Sequence, residues 1–220
     1  MGDMFAKYDV LGAVWVTIQL SVLGIVGAFI LGTIVAILRV SPVAVLRGIG
    51  TSYVNTFRNL PLTLLMVFSI LGMSFIMQLS VSDNFSRNAF WWAVIMLSVY
   101  HAAYICEALR SGINTVPVGQ AEAARSIGLG FGQSLREVIL PQAFRGAVAP
   151  LGSVVIALIK NSTVAAVIGV GDSAGLMQII TENEGASLPM FFFFAMVFVI
   201  LTLPIGLGTT SLSRKLAVKR

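Results

Sequence analysis

Five apolar runs, near residues 11–38, 60–79, 89–108, 147–168 and 190–212, alternate with short segments that hold nearly all of the charge. Each run has about 20 residues or more, and a helix rising about 1.5 Å per residue needs roughly 20 to cross about 30 Å of hydrocarbon. The runs are continuous and not alternating, which argues against the strands of a barrel. The pattern predicts an all-α membrane protein, a single domain over residues 1–220 with five transmembrane helices. The first run is longer than a span requires, so it is expected to tilt or extend beyond the bilayer. Its length also separates it from the apolar part of a signal peptide, which has about 7–15 residues.

Composition supports lipid as the solvent. Mean hydropathy is +0.94 and 10% of residues are charged, against roughly a quarter in a soluble domain. So few polar side chains cannot cover a surface in water. The position of the charges then sets orientation. Arg39, Arg47 and Arg58 lie between the first and second runs, and Arg110, Arg125, Arg136 and Arg145 between the third and fourth. Arg214, Lys215, Lys219 and Arg220 follow the fifth, while the opposite side has only Lys7 and Arg87. The positive-inside rule then predicts an N-terminus outside, a cytoplasmic C-terminus and a cytoplasmic loop over 109–146. The net charge of +5 is spread singly between the runs, which argues against nucleic-acid binding. The exterior segment near 169–189 has Asp172, Glu182 and Glu184 and no base. It is expected to be a solvated acidic loop, the alternative being a docking surface for an extracellular partner. Cys106, the single cysteine, is expected to be a small buried hydrophobe.

The 109–146 loop is too short for a domain and too apolar for disorder. Pro117 opens a segment in which Ala121, Ala123 and Ala124 favour helix, and Gly128 suits its termination. A second short helix is expected from about Phe131 to Pro141, which cannot continue it. Between them the two helices hold Glu122, Arg125, Arg136 and Glu137, and the small alanines allow another protein to approach closely. A phosphate-binding G-x-x-x-x-G-K-[ST] run is missing from the sequence. One histidine and one cysteine exclude an obvious zinc site. Neither a cofactor nor catalysis is expected on this chain.

Glu122-Ala123-Ala124, Gly128 and Leu140-Pro141 resemble the EAA signature of ABC-importer permease subunits, with Val138 where that pattern has Ile. The resemblance implies a type I ABC importer permease fold. It also implies a coupling loop in which Glu122, Ala123, Ala124, Arg125, Gly128, Leu140 and Pro141 meet a separate ATP-binding subunit, which holds ATP and Mg. Phe57-Arg58-Asn59-Leu60-Pro61-Leu62, Ala103 to Gly112, and Lys160-Asn161-Ser162-Thr163 followed by Ile168-Gly169-Val170 are similar to the polar amino-acid branch. Leu60 replaces a Thr there. This branch implies an ATP-driven importer for polar amino acids, most like the glutamate-uptake type. It further implies a second permease chain, identical or homologous, and an extracellular substrate-binding protein. An ABC permease for another small solute, or an ATP-independent carrier or channel, are the alternatives.

Lys160 lies about 20 Å into the fourth run from its cytoplasmic end. A charge at that depth costs at least about 2.5 kcal/mol unless it faces water or a counter-charge. It is therefore a candidate for a substrate carboxylate, with Asn161, Ser162 and Thr163 adding hydrogen bonds. A structural ion pair is the alternative, although Glu107 sits too near the cytoplasmic end to serve. His101, Tyr104, Gln78 and Arg58 are further candidates for the substrate path, and Tyr100 is polar enough to join them. Ala28, Gly32 and Ala36 recur every four residues on the first helix. They permit close packing, either within the chain or against a second permease.

Overall fold

Helix α1, Gly2–Lys7, leads to Asp9, whose carboxylate accepts from Gly12 N at 2.8 Å and caps α2, Val10–Val40. The computed structural model describes residues 2–216, and all their regular structure is helical. After α2 the chain turns at Ser41 into α3, Ala44–Asn59, then α4, Leu62–Phe68, which runs on into a π-helical turn, Ser69–Ile76. Helix α5, Phe85–Asn114, is capped by Asn84 through Arg87 N at 3.1 Å. The short α6, Val118–Ser126, and α7, Phe131–Gln133, precede a second π-helical turn, Ser134–Ile139, and α8, Leu140–Asn161. A 3-10 turn, Ser162–Ile168, leads to α9, Ser173–Glu184, and α10, Leu188–Leu216.

Among the described residues, four helical stretches are long and apolar enough to cross a membrane: Val10–Val40, Phe85–Asn114, Ser134–Ile168 and Leu188–Leu216. A fifth exists if the bent pair Ala44–Asn59 and Leu62–Ile76 counts as one span. This pair differs from the simple helix expected over 60–79. The segment before Pro61, expected to be a connecting loop, is the helix α3. Its polar half hid it from an apolar-run criterion. Pro61 supplies no backbone N–H and forces Leu60 into an extended conformation (ψ 140°), so the chain bends by 97° at this point. Arg58, in the last turn of α3, stands just before this bend. Its guanidinium lies over the Tyr104 ring, 5.6 Å from the centroid, near the middle of α5.

Helix α5 is the central post, packed against α2, α3 and α8. The small residues of α2 face it. A Cβ added at Gly32 would lie 2.6 Å from Ile105 Cβ and 2.8 Å from the Ala102 carbonyl. Ala28 packs with Ile105, and Ala36 with Ala103 and Cys106. The stripe therefore serves contacts inside this chain. Arg39 of α2 forms an ion pair with Glu107 of α5, joined by Arg110 at 4.0 Å.

The segment expected to be a solvated acidic loop is instead mostly the helix α9. Asp172 is fully buried and caps it, accepting from Gly175 N at 3.0 Å. Beside it Ser173 N donates to Thr17 Oγ1 of α2 at 2.9 Å. Helix α9 is also tied to the N-terminal segment by a Lys7–Glu184 ion pair. Burial raises the Asp172 carboxyl to about 6, against opposing backbone N–H groups, and its Oδ2 has no partner among the described residues. With the folded pKa above the unfolded one, ionisation penalises the fold as pH rises through this window, and the penalty is complete above about 6. Asp172→Asn keeps a capping side chain. It is expected to raise the melting temperature at about pH 7.5 and to flatten its change between about pH 5 and pH 7.5. Parallel thermal melts in detergent check this.

Candidate functional site

Two regions gather the candidate residues. The first is the connection from α5 to α8. Helix α5 persists to Asn114 and α8 starts at Leu140, so the segment between them is shorter than the expected 109–146. Pro117 precedes α6, which holds Glu122, Ala123, Ala124 and Arg125. The end of α6 is a Schellman motif: Leu129 N donates to Ala124 O at 3.1 Å and Gly128 N to Arg125 O at 3.0 Å. It needs the left-handed conformation of Gly128, φ +87°. A Cβ there would meet no atom of the described residues within 4 Å, so the cost of Gly128→Ala is taken as conformational. About 1–2 kcal/mol is expected, read as a lowered melting temperature.

Leu140 and Pro141 do not end the second short helix, contrary to expectation. Pro141 falls in the first turn of α8, where a missing N–H leaves no hydrogen bond unmade. The preceding π-helical turn absorbs its ring, and Leu140 N donates five residues back to Leu135 O. Helix α6 rests on this turn through buried Ala124 and Ser134, with Gln142 Nε2 donating to Gln120 Oε1 at 3.4 Å. Ala124 is thus turned inward. Glu122, Ala123 and Arg125 are exposed, as are Arg136 and Glu137. These four charged groups make no ion pair with any described residue. Val118 and Ile127 flank them, 72% and 78% exposed, which gives the loop an apolar rim around unpaired charge.

The second region lies between α5 and α8, beside the α3–α4 break. A cavity of about 310 Å³ is lined by Tyr100, His101, Tyr104, Ser153 and Asn161, with Val154 and Ala157 as its apolar wall. His101 is 1% exposed, and its Nδ1–H donates to the Leu97 carbonyl at 2.9 Å. Nε2 is thereby left to accept from Asn161 Nδ2 at 3.1 Å. The Tyr100 and Tyr104 hydroxyls share one hydrogen bond at 3.0 Å, so one O–H stays available as a donor. Asn161 likewise keeps a second N–H and its carbonyl. The cavity thus offers both donors and acceptors to a small polar solute.

Of the expected path residues, His101, Tyr104 and Asn161 meet in this cavity and Arg58 borders it through the Tyr104 ring. Lys160 is exposed next to Asn161 and makes no ion pair with a described residue, so the structural pair considered for it is not seen there. Glu107 is engaged by Arg39 instead. Ser162 is buried and donates to Ile159 O at 2.8 Å, and Thr163 donates to Lys160 O at 2.8 Å, so both hydroxyls close the 3-10 turn. Gln78 is exposed beyond the first π-helical turn with φ 54° and does not line the cavity. Sequence inspection missed Ser153. The spacing of Ser153, Ala157 and Asn161, one per helical turn, was the available signal.

Residues 28–218 match the model of the family described as "Binding-protein-dependent transport system inner membrane component". The chain is 50% identical to the glutamate transport system permease protein GluC of Corynebacterium efficiens, over 96% of each chain. It is 31% identical to the probable glutamine ABC transporter permease protein GlnM of Bacillus subtilis, over 97% of this chain and 95% of that one. A crystal structure of an amino acid ABC transporter with histidines superposes with a TM-score of 0.84 at 26% identity, over 96% of each chain. With its helical bundle, its EAA loop and these likenesses, the chain belongs to the family of inner membrane components of binding-protein-dependent transport systems.

Proposed function

We propose that this chain is the membrane subunit of an ATP-driven importer for acidic amino acids, with glutamate the leading solute. The observation that supports this most directly is charge. Arg58 borders the polar cavity through the Tyr104 ring, Lys160 adjoins its lining residue Asn161 along α8, and neither has a carboxylate partner among the described residues. A cation within a membrane span is costly unless water or a counter-anion meets it. An acidic amino acid brings two carboxylates, one for each base, while the tyrosine and Asn161 groups suit its ammonium and remaining oxygens. At about 310 Å³ the cavity is at the small end of ligand pockets, roughly 300–1,000 Å³. The likeness to a glutamate transport permease agrees with this solute.

The N-terminus lies outside, and the C-terminus and the α6 loop face the cytoplasm. The basic residues of that side support this orientation, although Lys219 and Arg220 lie outside the described residues. A separate ATP-binding subunit, carrying ATP and Mg, docks on Glu122, Ala123, Arg125 and the exposed rim. Gly128 holds the loop's shape, while Leu140 and Pro141 start α8 and carry the motion into the bundle. A second permease chain completes the path, and an extracellular binding protein delivers the solute. ATP must bind the partner more tightly in one of the two states for the cycle to be driven.

Uptake of labelled glutamate by the reconstituted complex, with competing amino acids, tests the solute. Excess aspartate should block uptake, whereas glutamine and arginine should not. Equal competition by glutamine would replace the acidic reading with a neutral polar one. Lys160→Met should weaken uptake of acidic amino acids while the complex still assembles. Failure to assemble would assign Lys160 a structural role.

A further inference from the structure

Apart from Arg58, the open side of α3 has no place in the mechanism above, and its chemistry is wrong for lipid. At about 100° per residue, Arg47, Thr51, Asn55 and Arg58 fall within one sector of roughly 80°, with Ser52 and Thr56 beside it. The opposite side is apolar: Tyr53, Val54 and Phe57 pack on Val35, Ala36 and Ala103. The polar side is open, with Arg47, Ser52, Asn55, Thr56 and Arg58 exposed and Thr51 half-buried. A groove of about 670 Å³ runs along it.

This helix lies within the depth of the bundle. Tyr53 donates its hydroxyl to Val99 O at 2.6 Å, and Arg58 meets Tyr104, so the C-terminal half of α3 is level with the centre of α5. Hydrocarbon offers hydroxyl and amide groups no hydrogen-bond partners, and the side chains of Thr51, Ser52 and Thr56 find none among the described residues. This face therefore calls for water or another polar surface against it. Its charge has one sign. Helix α3 contains no acid, and neither Arg47 nor Arg58 joins an ion pair with a described residue. Arg58 borders the cavity through the Tyr104 ring. Arg47 lies eleven residues away, about 16 Å along the helix, and donates to Ser41 O at 3.4 Å where α2 ends.

We propose that the polar face of α3 is the wall of a water-filled, anion-selective vestibule joining the central cavity to the cytoplasmic side. Two arginines at its ends and hydroxyls between them lower the energy of a carboxylate along the route and raise that of a cation. This rests on the orientation and the acidic solute proposed above, and it adds the exit route and the groups that select on it.

Single cysteines at Thr51, Ser52 and Asn55, and at Ile30 as a control, test the vestibule in the assembled complex in lipid vesicles. Ile30 is 57% exposed on α2 but in apolar surroundings, and the native Cys106 is buried. Water-soluble thiol reagents should modify the three α3 cysteines at least about tenfold faster than Ile30→Cys. An apolar surround raises a thiol's pKa, and each unit removes tenfold of the thiolate. Relative to their rates with a free thiol, an anionic reagent should outpace a cationic one, and Arg47→Gln should shrink that preference. Labelling as slow as at Ile30→Cys would overturn the vestibule, and a preference for the cationic reagent would overturn its selectivity. Either failure leaves the uptake competition untouched, so the exit route and the solute are judged separately.

Discussion

Glu122→Arg is expected to reduce ATP-driven uptake to background while the chain inserts and melts like the wild type. The side chain is exposed and has no ion-pair partner among the described residues. Substitutions at such surface positions usually change stability by less than about 0.5 kcal/mol. Its proposed partner is on the ATP-binding subunit. Reversing the charge there places like against like, which at a protein interface costs several kcal/mol. A loss of about 1.4 kcal/mol already lowers affinity tenfold, so the ATPase subunit should fail to co-purify. Wild-type uptake with a retained ATPase subunit would remove Glu122 from the coupling role.

Gly112→Leu should be the most damaging substitution to the fold itself. Gly112 sits in the last turns of α5, where α8 crosses it. A Cβ added there would lie 2.3 Å from the Ala143 carbonyl oxygen and 2.7 Å from Ala147 Cβ. The first neighbour is backbone and cannot rotate away. Even alanine overpacks the site, at a cost of typically 1–3 kcal/mol by comparison with core insertions, so about that loss is expected for Gly112→Ala. Leucine adds three more carbons and should prevent assembly. The effect reaches the cavity, since the α5–α8 register here also sets the His101–Asn161 contact farther along both helices. Gly119→Ala is the matched control. No atom of the described residues lies within 4 Å of its added Cβ, and it replaces a poor helix former inside α6. Equal melting temperatures for Gly112→Ala and wild type would mean that α5 and α8 stand farther apart than described.

Only some of the functional region could be read from the chain. The short helix α6 and its end were legible because their signals are local. Pro117, the alanines and Gly128 specify a short helix and its end within a dozen residues, through propensity and a left-handed cap. Pro141 was misjudged because its effect depends on the π-helical turn before it, and no pattern of residue types announces that turn. Asp172 was taken for a solvated group, yet it is fully buried beside the Ser173–Thr17 contact that joins α9 to α2 across 156 residues of sequence. The cavity shows the limit most clearly. His101 and Asn161 were each suspected separately, but their contact spans sixty residues of sequence.

By itself the sequence determined that the chain lives in lipid, that it is helical, where its apolar runs lie and where the Gly128 break falls. Each of these follows from hydrophobicity counted along the chain or from backbone chemistry within a turn or two. The tertiary structure alone decided that α3 is a helix entering the bundle, that Pro61 breaks the second span beside Tyr104, and that Gly32 faces Ile105 of the same chain. The physical reason is that helix register and facing are set by the fit of side chains distant in sequence. That fit depends on distances of a few tenths of an ångström, which a list of residues does not contain.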